Sequence, residues 1–236
     1  MKTIGLIGGM SWESSIEYYR ILNQSTRAHL GGLHSAKIIM FSVDFADIAA
    51  MQHAERWSDM TDILVETSQK LQMAGASIVL LCTNTMHLLA DDIEARMSIP
   101  LLHIADATAG QIRSQGLTLV GLLGTKFTME ADFYRQRLLN RHGLEVLVPD
   151  PPGRDVLHRI IYDELCQGRF GAESRQTVLN LCQHLVSAGA EGIILGCTEL
   201  ELLMGDATAA VPMFPTTRIH AEAAVQLALG LEPVSL

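Results

Sequence analysis

The stretch Ala74–Thr85 reads AGASIVLLCTNT, and Ala188–Glu199 reads AGAEGIILGCTE. Both start with Ala-Gly-Ala, pass through a short apolar run and then turn abruptly polar. Such a run, with glycine before it and hydroxyl residues after it, fits a strand buried on both faces of a parallel sheet. Two further pairs extend the match. IGLIGGM from Ile4 and VGLLGTK from Val120 put Gly5 on Gly121 and Gly8 on Gly124, and IPLLHI from Ile99 resembles VPMFPT from Val211. The three offsets, 116, 114 and 112 residues, occur in the same order along the chain, so the sequence reads as an internal repeat.

Strand-like runs fall at Thr3–Ile7, Lys37–Val43, Ser77–Leu81, Leu101–Ile104, Thr118–Leu123, Leu144–Val148, Gly192–Leu195 and Val211–Phe214. Amphipathic helical segments lie among them at Ser14–Ala28, Ser58–Met73, Ala107–Ser114, Glu130–Arg141 and Arg175–Ala188. Alternation of this kind predicts an α/β fold with parallel sheets. The repeat predicts two pseudo-symmetric α/β domains, 1–98 plus 213–236 and 99–212, with the active site in a cleft between them. Ligands of such sheets bind at the carboxyl ends of the strands.

Composition narrows the function. The 236 residues are 48% hydrophobic and 18% charged, with a net charge of −9, which suits a globular chain and disfavours nucleic acid as a partner. No apolar stretch approaches the roughly 20 residues that span a bilayer. The start, MKTIGLIGGMSWES, reads as a strand ended by glycines rather than a signal peptide, so a cytoplasmic location is expected. The four cysteines, Cys82, Cys166, Cys182 and Cys197, form no CxxC pair, and the nine histidines are dispersed with no HExxH, so no metal site is expected. The loop GLIGGMSWES matches neither GxGxxG nor GxxxxGK[ST]; its glycines instead let backbone amides approach an anion.

Ungapped alignment of the two Ala-Gly-Ala stretches puts Cys82 on Gly196, Thr83 on Cys197 and Asn84 on Thr198. Side chains alternate along a strand, so Cys82 and Thr83 point opposite ways if the strand geometry reaches its tip. Thr83 is the positional partner of Cys197, and Cys82 remains the alternative to it. A two-fold arrangement of proton carriers suits inversion of a stereocentre, in which one face loses a proton and the other gains one. A thiol serves this well, since its pKa near 8.5 is readily shifted by its surroundings.

GLIGGMS, LCTNTMH, LLGT and GCTEL at this spacing resemble the aspartate/glutamate racemase family along the whole chain. The resemblance implies a cofactor-independent amino-acid racemase acting on aspartate and/or glutamate. Cys197 would be the thiol acid/base for the L-enantiomer, with Thr83 on the opposite face, as in a subgroup carrying Thr for the first catalytic Cys. It also implies that Asn84, Thr85 and Thr198 bind the amino-acid carboxylate and amine, with Met10, Ser11 and Thr125 lining the two glycine loops. Related aspartate racemases carry an arginine after the second strand. Here SVDFADIAAMQ has no cation before Arg56, and Gln52 is the donor available. About thirty residues before the second cysteine, where relatives have lysine, this chain has Cys166. The expected partners are an acidic amino acid and a second copy of the chain in a homodimer, with no nucleic acid and no membrane. Two other readings stand beside this one. One is a decarboxylase or isomerase of the same superfamily using only Cys197, and the other a binding protein whose chemistry has decayed.

Overall fold

The computed structural model describes residues 1–205, 207 and 209–231. The chain divides into two compact units, Met1–Ile104 with the described residues from His220 onward, and Ala105–Ile219. Each contains one wholly parallel sheet with helices packed on it.

The first unit runs β1 (Ile4–Gly8), α1 (Trp12–Leu30), β2 (Ile38–Ser42), α2 (Phe45–His53), α3 (Trp57–Met73) and β3 (Ile78–Leu81). A 3₁₀ turn, Thr85–Leu89, then leads into α4 (Ala90–Glu94). Next come α5 (Ile104–Ser114), β4 (Leu119–Gly124), α6 (Lys126–Glu130), α7 (Asp132–His142) and β5 (Glu145–Leu147). The chain continues through α8 (Pro151–Arg159), α9 (Ala172–Ser187), β6 (Gly192–Gly196), α10 (Thr198–Met204) and β7 (Met213–Pro215). It re-enters the first unit within α11 (Thr216–Leu229).

The sheet orders are β2-β1-β3 and β5-β4-β6-β7. In the first, an isolated parallel bridge joins Val79 to Leu101. This bridge is the counterpart of the β6–β7 pairing of Ile193 with Met213. Even the hydrogen bonds repeat: Val79 N–H donates to Pro100 O and Ile193 N–H to Pro212 O, both at 2.9 Å. Leu101 therefore belongs with the first sheet and Met213–Pro215 with the second. The units change over at Ile104/Ala105 and Ile219/His220, some residues later than 98/99 and 212/213, because each sheet's last pairing precedes the crossing.

The alternation of side chains sorts the first core into two layers. Ile4, Leu6, Ile78, Leu80 and Cys82 pack with Tyr18 and Leu22 of α1 and with Ala224 and Val225 of α11. Ile7, Val79 and Leu81 pack on the other face with Met60 and Leu64 of α3. The repeated glycines are packing positions. A Cβ on Gly5 would lie 2.9 Å from Ala76 Cβ. One on Gly121 would lie 2.8 Å from Ile193 Cδ1 and 2.9 Å from Leu185 Cδ1 of α9. β2 departs from the expected fully buried strand, since it is the sheet edge and leaves Met40 and Phe41 exposed. Helices α4, α10 and α11, and the pair α2 and α8, lie outside the helical segments read from the sequence. Helix α8 is opened by Asp150, whose side chain accepts from Gly153 N–H, followed by two prolines in the first turn.

Candidate active site

In both units the polar residues collect where parallel strands end. After β1 the chain turns sharply at Gly9, whose φ of 89° and whose place against Val43 O, too close for any added Cβ, admit only glycine. Gly9 N–H donates to Ser15 Oγ at 2.7 Å, and the Ser15 hydroxyl donates to Ser11 O at 3.0 Å. Ser11 caps α1 by accepting from Ser14 N–H. Met10 and Ser11 are both buried. Gln52 is buried near the end of α2, the helix that follows β2. Arg56, the first cation after it, is exposed and engaged with Asp59 at 2.6 Å.

At the end of β3, Cys82 is fully buried in the core layer shared with α1 and α11, and its N–H donates to Ile7 O at 2.9 Å. Burial pushes its thiol pKa far up, so it holds its proton. Thr83, the next residue, is part-exposed, and Asn84 and Thr85 are buried. His87 fixes this turn. Its Nδ1 lies 2.8 Å from Thr83 O, and its Nε2 accepts from Ile104 N–H at 3.2 Å. Since Nε2 is an acceptor, the imidazole is neutral with its proton on Nδ1, donating to Thr83. Beneath it, His220 is fully buried between Tyr18 Oη at 2.7 Å and Leu102 O at 2.8 Å. The carbonyl can only accept, so His220 donates from Nε2 and receives the Tyr18 hydroxyl at Nδ1.

The second unit mirrors this with hydroxyls. Thr125 caps α6, accepting from Thr128 N–H at 3.3 Å, and the two side-chain oxygens lie 3.2 Å apart. β4 and β6 end level, with Gly124 opposite Gly196, so Thr125 and Cys197 leave adjacent strands side by side. In the first sheet Ile7 faces Leu81, and one further step sets Gly8 beside Cys82. The two registers thus equate Cys82 with Gly196 and Thr83 with Cys197, as in the ungapped alignment. Thr198 is buried, with Oγ1 2.6 Å from Thr217 Oγ1, and Thr216 donates to Leu195 O at 2.8 Å.

Cys197 is part-buried at the N-terminus of α10, and its thiol donates to Glu199 Oε2 at 2.9 Å. Its pKa stands well above the ordinary thiol value. Desolvation contributes most, followed by the electrostatic influence of Glu199 and Cys166, while the Glu199 N–H acts in the opposite sense. Tyr162 lies near enough to feel Cys166, Cys197 and Glu199, and its phenol is also pushed up, chiefly by burial. Lys126 is part-exposed and bound to Asp155 at 2.6 Å. Among the described residues no cluster of three or more His, Cys, Asp or Glu could hold a metal ion. Likewise, no helix of the described residues is long and apolar enough to cross a membrane. Glu199, Thr216 and Thr217 were not expected at the site. The first was legible only as the fourth residue of GCTEL, two positions after Cys197.

The Asp/Glu/Hydantoin racemase family model matches residues 7–224, a span that takes in every candidate site residue described above. The chain belongs to this family. A Yersinia pestis protein proposed as an Asp/Glu racemase is 53% identical, with a TM-score of 0.90 over 97% of this chain and 100% of that one. An aspartate racemase homologue from Pyrococcus horikoshii is 35% identical, with a TM-score of 0.84 over 97% and 100% of the two chains. Among curated relatives, the broad specificity amino-acid racemase RacX of Bacillus subtilis is 24% identical over 174 residues, 74% of each chain. RacX is named an amino-acid racemase, and family membership makes this chain an enzyme of the racemase class.

Proposed function

We propose that this racemase interconverts the enantiomers of aspartate and/or glutamate without a cofactor, with Cys197 and Thr83 acting on opposite faces of the α-carbon. The observation that carries the reading is the shared position of these residues. Each is the first part-exposed residue after the equivalent strand of its sheet, and each side chain carries an exchangeable proton. Removal of the α-proton from the L-enantiomer falls to Cys197, since a thiol is a far better base than an alcohol. Thr83 then delivers or relays a proton to the other face. Burial of Cys82 in the core, with its proton firmly held, favours Thr83 over Cys82 for this role.

The binding groups are hydroxyls, amides and a carboxamide. Ser11, Asn84, Thr85, Thr125 and Thr198 serve the α-carboxylate and amine, Met10 packs beside them, and Gln52 meets the side-chain carboxylate. Nests of such donors hold anions without a formal positive charge. A second reading, broad specificity, is favoured by one observation. Gln52 is neutral, and Arg56 and Lys126 are both committed to carboxylates of the chain itself. Chiral chromatography of a panel of L- and D-amino acids separates the two. Turnover of Asp and Glu well above Ala, Ser and Lys supports the acidic reading, and comparable rates across the panel replace it with the broad one. No inversion of any member defeats both.

A further inference from the structure

Glu199 stands beside the site thiol with no role given it by the strand repeat. It is 3% exposed, a buried carboxylate. Its Oε2 accepts a hydrogen bond from the Cys197 thiol at 2.9 Å, which puts a proton acceptor in direct contact with the sulfur. The counterpart position after Thr83 is Thr85, which carries no charge, so the first unit offers no equivalent. Desolvation and the Glu199 carboxylate oppose ionisation of the thiol, and together they outweigh the Glu199 N–H that favours it. A free thiolate is therefore scarce at neutral pH, and any base function of Cys197 needs an outlet for the proton it already holds.

We propose that Glu199 is that outlet, the terminal proton acceptor on the Cys197 side of the racemase reaction. The inference rests on the racemase reading above. As Sγ takes the α-proton from the L-enantiomer, the Sγ–H bond to the resident proton breaks and an O–H bond forms on Glu199 Oε2. The C–H electron pair stays on the α-carbon. The negative charge thus passes from the Glu199 carboxylate to the substrate carbanion, and the sulfur is a thiol both before and after. In the opposite direction the carboxylic acid returns its proton to sulfur while the thiol proton goes to carbon. No thiolate accumulates, which fits a thiol whose pKa is raised rather than lowered. Cys166 in the 3₁₀ turn Leu165–Gln167 and the Tyr162 phenol are the other titratable groups acting on this pair. The Tyr162 phenol, pushed up chiefly by burial, keeps its own proton at neutral pH and cannot take another, whereas the Glu199 carboxylate can.

The test compares wild type with Glu199→Gln and Glu199→Asp. Racemisation of L-aspartate and L-glutamate is followed across pH 6–10, and iodoacetamide alkylation of the Cys197 peptide is followed by mass spectrometry. The carboxamide of Glu199→Gln keeps the shape of the side chain and cannot accept a proton. Racemisation is expected to fall by roughly 10²–10³, the scale of a lost general base, and what remains should climb with pH as thiolate forms. Alkylation of Cys197 should instead become faster, since a negative neighbour has been removed. Glu199→Asp should recover part of the rate. A merely structural role would slow racemisation without speeding alkylation or introducing the pH climb, and that pattern overturns the relay. Wild-type-like racemisation in Glu199→Gln, within about threefold at every pH, overturns the relay alone. A wild-type enzyme that inverts no amino acid overturns the racemase reading and the relay with it.

Discussion

Burial of His220 makes the first unit acid-sensitive by a calculable amount. The ring is wholly buried, Tyr18 occupies Nδ1 and Leu102 O occupies Nε2–H. Desolvation, with a smaller contribution from neighbouring His87, lowers its pKa from 6.5 to about 3. Above pH 6.5 the imidazole is neutral in both folded and unfolded chains and has no pH-dependent effect. Below 6.5 the unfolded chain gains a proton that the folded chain refuses, so stability is lost as pH falls from 6.5 towards 3. Linkage gives a loss of about 2 kcal/mol by pH 5, approaching about 1.4 kcal/mol per further pH unit. The chain's two tryptophans, Trp12 and Trp57, both lie in this unit, so urea unfolding followed by tryptophan fluorescence reports on it selectively. His220→Gln removes the titration. Its curve of stability against pH should lie below wild type at pH 8 and converge towards it by pH 5. Curves that stay parallel from pH 8 to pH 5 would show that His220 titrates normally and refute the reasoning.

Other perturbations have definite expectations. Gly9→Ala combines a backbone strained by φ of 89° with a contact against Val43 O; a loss of about 3 kcal/mol or more in urea unfolding, with racemisation reduced alongside it, is expected. Thr217→Val leaves the buried Thr198 hydroxyl without the neighbour at 2.6 Å, which should cost about 1–3 kcal/mol and raise the KM for substrate. Asp106 is part-buried, so desolvation pushes its carboxyl up. Hydrogen bonds from Arg137 and His142 outweigh that, and its pKa is lowered overall. Its stabilisation is therefore present above the normal carboxylate range and lost as pH falls through the depressed value. Asp106→Asn should destabilise the second unit by about 2 kcal/mol at pH 7 and remove that acid-induced loss.

Much of this was legible in the sequence for a physical reason. A parallel strand buried on both faces must be a short apolar run, so AGASIVLL and AGAEGIIL were visible, and their match fixed the register that pairs Thr83 with Cys197. The alternation of side chains along β3 also separated Cys82 from Thr83. Less legible was anything decided by edges and tertiary contact. Leu101 looks like a strand but makes one bridge, because the chain turns into α5 three residues later. The exposure of Met40 and Phe41 follows from β2 being the sheet edge, which composition does not reveal. The partner of Cys197 was in plain view in GCTEL, yet an acidic residue in the first turn of a helix is commonplace. Only the 2.9 Å contact distinguishes Glu199 from a residue that merely suits a helix start.

Isotope exchange in D₂O reads out proton transfer by Cys197 on one face and Thr83 on the other. The two enantiomers have equal free energy, so steady-state kcat/KM values are equal in both directions and cannot distinguish the faces. The Cys197 side exchanges its proton with solvent and can return a deuteron to the face it came from. Recovered L-substrate should therefore gain α-deuterium faster than D-product appears, while D-substrate shows little exchange without inversion. Cys197→Ser should abolish both processes, and Thr83→Ala should reduce inversion far more than exchange into L-substrate. If Thr83→Ala is harmless while Cys82→Ser abolishes inversion, or if Cys197→Ser still exchanges the α-proton, the assignment of the two faces is contradicted.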